Sequence, residues 1–131
     1  MIFDSSVWVD FLNGKQSRNA ILLQLQIREF YPVHICPPIF QEILQGIKND
    51  ERFDEVKDLV FGLNLLSIDP YFAADGAISL YRQLRKDGVT IQKPNDCLIA
   101  FYSIHFKLEL VHNDKDFDKI AKHTSLKIYS T

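Results

Sequence analysis

The segment Met1-Ile2-Phe3-Asp4-Ser5-Ser6-Val7-Trp8-Val9-Asp10-Phe11-Leu12 joins a short apolar run to a helix signal. Residues 1–4 are predicted to form a strand, because a short apolar run is typical of a buried strand. Ser5 or Ser6 can cap a helix that runs to about Leu12. Asp4 therefore lies where a buried strand ends. A carboxylate beside apolar neighbours costs free energy unless it is paired or binds a metal.

The rest of the chain alternates short apolar strands with helices. Further strands are predicted at 33–36, 65–68, 109–112 and 126–129, and further helices at 17–29, 37–46, 50–63, 70–88, from 94 onward and at 116–123. This order implies a parallel sheet with both faces covered by helices. A chain of 131 residues is long enough to bury one core. We therefore expect a single α/β domain over residues 1–131, in which helices flank a central parallel sheet.

Four acidic residues are predicted to meet at one edge of this sheet, where open parallel sheets bind their ligands. Asp4 and Asp114 each follow a predicted strand, and Glu42 and Asp96 lie in the first turns of helices that are entered from the same edge. Each residue also has a simpler explanation: a helix cap for Asp4 and Asp96, an ion pair for Glu42, and a turn for Asp114. These explanations are unrelated, whereas one site for a hard cation accounts for all four acids.

The overall charge gives only a mild argument about the class of ligand. The formal net charge is −2 and the pI is about 6.0, whereas nucleic-acid-binding domains are usually basic. A cluster of acidic metal ligands lowers the net charge by itself, and a local basic rim can still contact phosphates. The charge therefore does not exclude a nucleic-acid substrate.

Several common classes of protein are not indicated by the sequence. Cys36 and Cys97 form no CxxC pair, so we expect both to be reduced core residues rather than zinc ligands or a disulfide. The sequence contains no signal-peptide pattern and no apolar run long enough to span a bilayer. It also contains no glycine-rich loop of the kind that binds nucleotide phosphates. We expect a cytoplasmic protein with no membrane partner.

Four segments carry a family resemblance, in this chain order: Asp4-Ser5-Ser6-Val7-Trp8-Val9-Asp10-Phe11-Leu12, Glu42 in the helix after the second strand, Pro94-Asn95-Asp96-Cys97-Leu98-Ile99-Ala100, and His112-Asn113-Asp114-Lys115-Asp116-Phe117. They resemble the acidic motifs of PIN-domain ribonucleases, most closely those of VapC-type toxins from toxin–antitoxin pairs. The resemblance covers essentially the whole chain. One departure is His112, which stands where this family has a small hydroxyl residue.

The resemblance implies an endoribonuclease that depends on Mg²⁺ or Mn²⁺ and inhibits translation or growth by cutting RNA, such as transfer or ribosomal RNA. The acidic catalytic cluster then comprises Asp4, Glu42, Asp96 and Asp114. Asp4 and Asp96 are expected to hold the metal, with Asp114 bound directly or through water. Asp116 is a second candidate for the ligand in the last motif. Glu42 is expected to orient or deprotonate the attacking water.

Contacts to the substrate are expected from residues next to these acids. Ser5 or Ser6 can hydrogen-bond the scissile phosphate or Asp4, although both also suit a helix cap. Lys93 and Lys115 adjoin the acidic motifs and are expected to contact phosphates. Asp10 belongs to the opening motif but is predicted to be a surface or structural acid. Because neighbouring carboxylates repel one another, at least one of the four acids should have a raised pKa when no metal is bound.

The resemblance also implies two protein partners, a small antitoxin and a second copy of the chain in a homodimer. Three alternative functions remain open. A metal-dependent phosphohydrolase would place an Asp-x-Asp pair after the first strand, whereas this chain has Asp4-Ser5-Ser6. A phospho-receiver module would need a paired acidic cluster and a lysine after a late strand. A PIN fold could also serve only as a binding scaffold, although the complete set of acids argues against that function.

Overall fold

The structure is a computed structural model, and it describes residues 1–130. The strands are β1 (Ile2–Phe3), β2 (His34–Ile35), β3 (Asn64–Leu65) and β4 (Leu110–Val111). The helices are α1 (Ser5–Leu12), α2 (Arg18–Arg28), α3 (Pro37–Gln45), α4 (Asp50–Phe61), α5 (Pro70–Lys86), α6 (Pro94–His105) and α7 (Asp116–His123). The four strands are parallel and form one sheet in the order β3-β2-β1-β4. The predicted α/β class with a central parallel sheet is confirmed.

Strand β1 lies inside the sheet and is completely buried. Ile2 pairs with His34 of β2 on one side and with Leu110 of β4 on the other. Ile2 and Phe3 are both 0% exposed, as expected for a strand that helices cover on both faces. The chain leaves β1 at Asp4, so this carboxylate lies in the middle of the carboxyl edge of the sheet.

Helix α6 is a central helix, as its nearly continuous apolar sequence predicts. Its residues Cys97, Ile99, Ala100 and Tyr102 are buried, and the helix packs against α3, α5 and α7. Contacts on several sides leave the helix little freedom to shift. The first turn of α6, which carries Asp96, is therefore held in a fixed position beside the end of β1. Within residues 1–130, every helix is too short or too polar to cross a membrane.

Three of the five predicted strands are one residue too long at each end, and the other two differ more from the structure. The third strand is Asn64–Leu65 rather than 65–68, because its pairing with β2 ends at Leu66, whose N–H donates to the Ile35 carbonyl at 2.9 Å. The last predicted strand, 126–129, is reduced to a single bridge between Leu110 and Ile128. Strand β4 is only two residues long, so it offers a partner strand little backbone to pair with.

Helices α5 and α6 approach each other closely where Gly76 faces Phe101. A β-carbon at Gly76 would overlap the ring of Phe101. That ring is also held by Phe72, with 5.6 Å between the two ring centroids, and by His105, with 5.8 Å. The absence of a side chain at position 76 is therefore a packing requirement of this helix pair.

We expect Gly76→Ala to lower the free energy of unfolding by about 1–2 kcal/mol. Overpacking costs about 1–3 kcal/mol, and we expect the upper part of that range, about 2–3 kcal/mol, because the overlap with the Phe101 ring is severe. The better helix propensity of alanine offsets roughly 1 kcal/mol of that cost. Urea denaturation measures the change. Gly46→Ala is the matched control, because a β-carbon there meets only ordinary contacts. A Gly76→Ala protein as stable as the wild type would contradict the close approach of the two helices.

Candidate functional site

A cleft at the carboxyl edge of the sheet brings the four predicted acids together. Its volume is about 400 Å³, and it is lined by Asp4, Ser5, Ser6, Val9, Asp10, Lys15, Glu42, Lys93, Asp96, Asn113 and Asp114. The acids come from four separate parts of the chain: the end of β1, helix α3, the first turn of α6 and the turn after β4. The parallel topology therefore produces the convergence that the sequence predicts.

Asp4 combines a capping role with a place in the cleft. Its Oδ2 accepts hydrogen bonds from the backbone N–H of Ser6 at 3.0 Å and from the Ser6 hydroxyl at 2.6 Å, which caps the N-terminus of α1. The residue is only 4% exposed. The two explanations considered for Asp4 from the sequence are therefore compatible, since one oxygen caps the helix while the residue also lines the cleft.

Asp96 is the carboxylate of the cluster whose ionised form is most strongly disfavoured. It is 4% exposed, and among residues 1–130 its Oδ2 is shielded from solvent and has no hydrogen-bond partner. Burial, followed by the negative charge of Asp4, raises its pKa to about 7, and Lys93 opposes this shift only in part. A buried carboxylate oxygen without a partner is costly. A cation bound at this oxygen would remove that cost.

Glu42 faces the same cleft from α3 and is half-buried. The Ser5 hydroxyl donates to its Oε2 over a long 3.5 Å, while its Oε1 is shielded from solvent and has no partner within the described part of the chain. Burial, and then the charge of Asp4, raises the pKa of Glu42. Repulsion between the acids was expected to raise at least one pKa. The pKa values of Glu42 and Asp96 are both raised, with burial as the larger cause and the charge of Asp4 as the second.

Asp114 differs from Asp96 because it has a basic partner. Lys93 Nζ donates to its Oδ2 at 2.9 Å, and the backbone N–H of Asp116 donates to its Oδ1 at 3.0 Å. The hydrogen bond from Lys93 holds the pKa of Asp114 below its usual range. One acid of the cluster is therefore kept ionised while its neighbour Asp96 holds a proton until about neutral pH.

Three of the acids are arranged so that they could hold a metal ion. Asp96, Asp114 and Asp116 each offer one carboxylate oxygen, and these oxygens all lie within 4.8 Å of one another. Oxygen donors of this kind suit hard divalent cations. Asp116, the second candidate from the last motif, is thus placed with Asp96 and Asp114. Asp4 lies in the same cleft, but its Oδ2 is already occupied by Ser6.

Three of the four predicted substrate-binding residues line the cleft, and the fourth lies outside it. Ser5 and Ser6 line the cleft. Lys93 also lines the cleft, but its ammonium group is paired with Asp114. Lys115 is exposed on the turn before α7 and lies outside the lining of the cleft. Lys15, which was not among the predicted site residues, contributes a positive charge to the cleft.

A network centred on Asn113 was not predicted from the sequence. Its backbone N–H donates to the Ser6 hydroxyl at 3.0 Å, and its side-chain amide donates to Asp10 at 2.8 Å and to Ser17 at 3.2 Å. Asn19 donates to the Asn113 side-chain oxygen at 2.9 Å. Asp10 therefore lines the cleft and also has a structural role. The only signal in the sequence was the position of Asn113 directly before the last acid.

Residues 1–123 match the sequence profile described as the PIN domain. The chain belongs to the PIN domain family. Over 131 residues it is 35% identical to the VapC ribonuclease Mb1587 of Mycobacterium bovis, a match that covers 99% of this chain and 98% of that protein. Ribonuclease VapC11 of Mycobacterium tuberculosis is similar to the same degree, with the same coverage. The resemblance to VapC-type PIN domains seen in the sequence is confirmed.

Two solved toxin–antitoxin structures contain chains with this fold. The VapBC2 complex of Rickettsia felis bound to a promoter DNA fragment contains a chain that matches with a TM-score of 0.75 at 18% identity, covering 98% of both chains. A toxin–antitoxin complex from Klebsiella pneumoniae matches with a TM-score of 0.66 at 20% identity, covering 88% of both chains. The two alternatives based on other folds, a phosphohydrolase and a phospho-receiver module, are removed by the family assignment.

Proposed function

We propose that this PIN domain is a metal-dependent endoribonuclease and acts as the toxin of a toxin–antitoxin pair. The observation that carries the proposal is the buried carboxylate of Asp96. Its Oδ2 has no hydrogen-bond partner among residues 1–130, and the residue offers one oxygen within 4.8 Å of oxygens of Asp114 and Asp116. A scaffold protein gains nothing from a carboxylate in this state, whereas perturbed carboxylates are concentrated at functional sites. The curated relatives that are 35% identical are named as ribonucleases, which supports RNA as the substrate.

The metal ion is proposed to be Mg²⁺ or Mn²⁺, held by Asp96, Asp114 and Asp116, with Asp4 contributing directly or through water. The first three residues fit such an ion, because one oxygen of each lies within 4.8 Å of the others and Asp96 Oδ2 has no hydrogen-bond partner among residues 1–130. When bound, a divalent ion lowers the pKa of a coordinated water and neutralises the charge that develops on the phosphate. Lys93 keeps Asp114 ionised, so this ligand is available without first losing a proton.

Glu42 is proposed to accept the proton of the attacking water. Its pKa is raised by burial and by Asp4, which makes it a stronger base than an exposed glutamate. Its Oε2 accepts only a long hydrogen bond of 3.5 Å from Ser5, so we propose that this oxygen is the one that meets the water molecule. Among residues 1–130 the Ser5 hydroxyl makes only the long hydrogen bond to Glu42, so Ser5 is the hydroxyl proposed to contact the scissile phosphate. Ser6 is committed to Asp4 and Asn113.

The substrate is proposed to be single-stranded or looped RNA, such as part of a transfer or ribosomal RNA. An unpaired strand exposes its phosphodiester to a cleft, whereas a duplex presents its bonds along a rigid surface. The cleft contains two lysines, Lys15 and Lys93, which can contact phosphates on either side of the cut. Exposed Lys115 is proposed to contact phosphates outside the cleft.

Two protein partners are proposed. A small antitoxin is supported by the solved toxin–antitoxin complexes that share this fold and by the exposed apolar residues Ile21 and Leu25 on α2. A second copy of the chain is supported by the exposed apolar residues Phe72 and Ile78 on α5. Such side chains suit partner surfaces better than solvent. The proposed compartment is the cytoplasm, where RNA is available and free cysteines such as Cys36 and Cys97 stay reduced.

The purified chain, free of any antitoxin, is expected to cut RNA only when a divalent metal is present. Bulk transfer RNA and ribosomal RNA would be incubated with Mg²⁺, with Mn²⁺ and with EDTA, and the products separated on a denaturing gel. Calorimetry with Mn²⁺ would be run on the same preparation. Cleavage that persists in EDTA would contradict the metal dependence. The absence of both cleavage and Mn²⁺ binding would overturn the proposed function.

A further inference from the structure

His112 connects the end of β4 to the acidic turn before α7. Its side chain is only 8% exposed, and its ring packs against the ring of Phe117 with 5.5 Å between centroids. In the resemblance to PIN-domain ribonucleases, this position is expected to carry a small hydroxyl residue. The contacts of the imidazole ring show what a histidine does at this position.

Both ring nitrogens of His112 have partners. Nδ1 lies 3.0 Å from the backbone nitrogen of Asp114, which can only donate, so Nδ1 accepts and carries no proton. Nε2 lies 2.9 Å from Oδ1 of Asp118. An ionised carboxylate can only accept, so Nε2 donates. The two contacts together select one neutral tautomer, with the hydrogen on Nε2.

These contacts fix the backbone from which two of the metal-site acids project. The ring binds the N–H of Asp114 directly. Asp114 in turn accepts a hydrogen bond from the backbone N–H of Asp116 through its own Oδ1. Asp118, which also lies in the first turn of α7, accepts from the other ring nitrogen. A rotation of the His112 ring would therefore release both acids of the last motif from their present geometry.

We propose that His112, oriented by Asp118, is a positioning residue that holds Asp114 and Asp116 in the geometry needed to bind the metal. The inference rests on the proposed function, because it assigns a role within the same metal site. His112 itself does not line the cleft and is not placed to contact RNA there. Its effect is transmitted through the backbone of Asp114, in the way that hydrogen-bonded neighbours of metal ligands set ligand orientation.

The test separates ring packing from hydrogen bonding. His112→Phe keeps a ring of similar size against Phe117 but removes both nitrogens. We expect its Mn²⁺ affinity, measured by calorimetry, to fall about 10–100-fold, with a melting temperature close to that of the wild type in EDTA. His123→Phe is the matched control, because His123 pairs with Asp87 at 3.5 Å at the far end of α7. Its Mn²⁺ affinity should not change.

A second pair of variants tests the role of Asp118, whose side chain is 58% exposed and so can be changed without disturbing the core. Asp118→Ala should weaken Mn²⁺ binding, and Asp118→Asn should restore much of the affinity, because an amide oxygen still accepts from Nε2. Long-range proton–nitrogen NMR spectra would show the ring state directly. The wild type and Asp118→Asn are expected to have a protonated Nε2 and an unprotonated Nδ1.

Three results would overturn this positioning role. They are unchanged Mn²⁺ affinity in His112→Phe, equal affinity in Asp118→Ala and Asp118→Asn, and a wild-type ring protonated on Nδ1. A wild-type protein that binds no Mn²⁺ at all would be a different outcome, because it would overturn the proposed metal site itself. The NMR assignment of the ring would still decide whether His112 holds the turn in the geometry described.

Discussion

Replacing Asp96 by asparagine is expected to reduce RNA cleavage by roughly 10³-fold while leaving the fold intact. Asparagine has nearly the same shape, so the packing of α6 is preserved, but the anionic oxygen is lost. Metal stabilisation of the developing charge contributes several kcal/mol, and each 1.36 kcal/mol corresponds to a factor of ten in rate. Mn²⁺ affinity should fall together with the cleavage rate, because Asp96 is the buried member of the group that it forms with Asp114 and Asp116.

The matched control for Asp96→Asn is Asp54→Asn, which makes the same chemical change at an exposed position on α4. Cleavage rates of the two variants and the wild type would be compared at saturating Mn²⁺. The control should cut RNA as fast as the wild type. An Asp96→Asn protein that retains more than about a tenth of the wild-type rate would contradict a ligand role for Asp96, since such a loss corresponds to only about 1.4 kcal/mol.

The same substitution is expected to change how the stability of the metal-free protein depends on pH. The pKa of Asp96 rises from an ordinary 3.8 to about 7 in the folded chain. Between these values the folded state holds a proton that the unfolded state has lost, so the contribution of Asp96 to stability falls as pH rises. This contribution is complete below about pH 4 and is lost as pH passes about 7. In Asp96→Asn it is absent.

Urea denaturation in EDTA, carried out from pH 4 to pH 8, measures this effect as the difference between wild type and Asp96→Asn. We expect the wild type to lose stability relative to the variant across this range. Added Mn²⁺ should restore wild-type stability near neutral pH, because metal binding replaces the proton. Parallel pH profiles for the two proteins in EDTA would show that Asp96 is not perturbed as described.

The convergence of the acids could be predicted because it depends on topology rather than on detailed geometry. Alternation of short apolar strands with helices predicts a parallel sheet, and residues at the carboxyl ends of its strands must share one edge. The shared position of Asp4 and Asp114 follows directly from that rule. The strand boundaries were less accurate, as shown by the two-residue strand Asn64–Leu65, because pairing at the edge of a sheet depends on where the neighbouring strand ends.

The hydrogen bonds that hold the acids in place could not be predicted in the same way. Lys93 lies close to Asp96 in sequence but pairs with Asp114, 21 positions later in the chain. Asn113 links the turn after β4 to Asp10 of α1. Both contacts depend on turn conformation and side-chain rotamers, which a single sequence does not specify. The hydrogen bond between His112 and Asp118 could not be predicted either. The sequence did show that His112 is unusual for this family.

Glu42→Gln is expected to slow RNA cleavage by about 10²–10⁴-fold, the usual contribution of a general base. The amide cannot accept the proton of the attacking water. Glu42 is not part of the group formed by Asp96, Asp114 and Asp116, so Mn²⁺ affinity should change little. A large loss of rate with unchanged metal binding would distinguish this residue from the metal ligands. An equal loss of rate and of Mn²⁺ affinity would contradict the role of base.

The pH dependence of the residual activity provides a second test of Glu42. Burial and the charge of Asp4 raise its pKa, and only the ionised carboxylate can act as the base. The wild-type rate should therefore increase as pH rises through this pKa, measured at saturating Mn²⁺ so that the metal ligands stay ionised. Glu42→Gln should lack that increase, because its residual rate no longer depends on the ionisation of this residue. An unchanged acid limb in the variant would assign the titration to another group and leave Glu42 as an orienting residue.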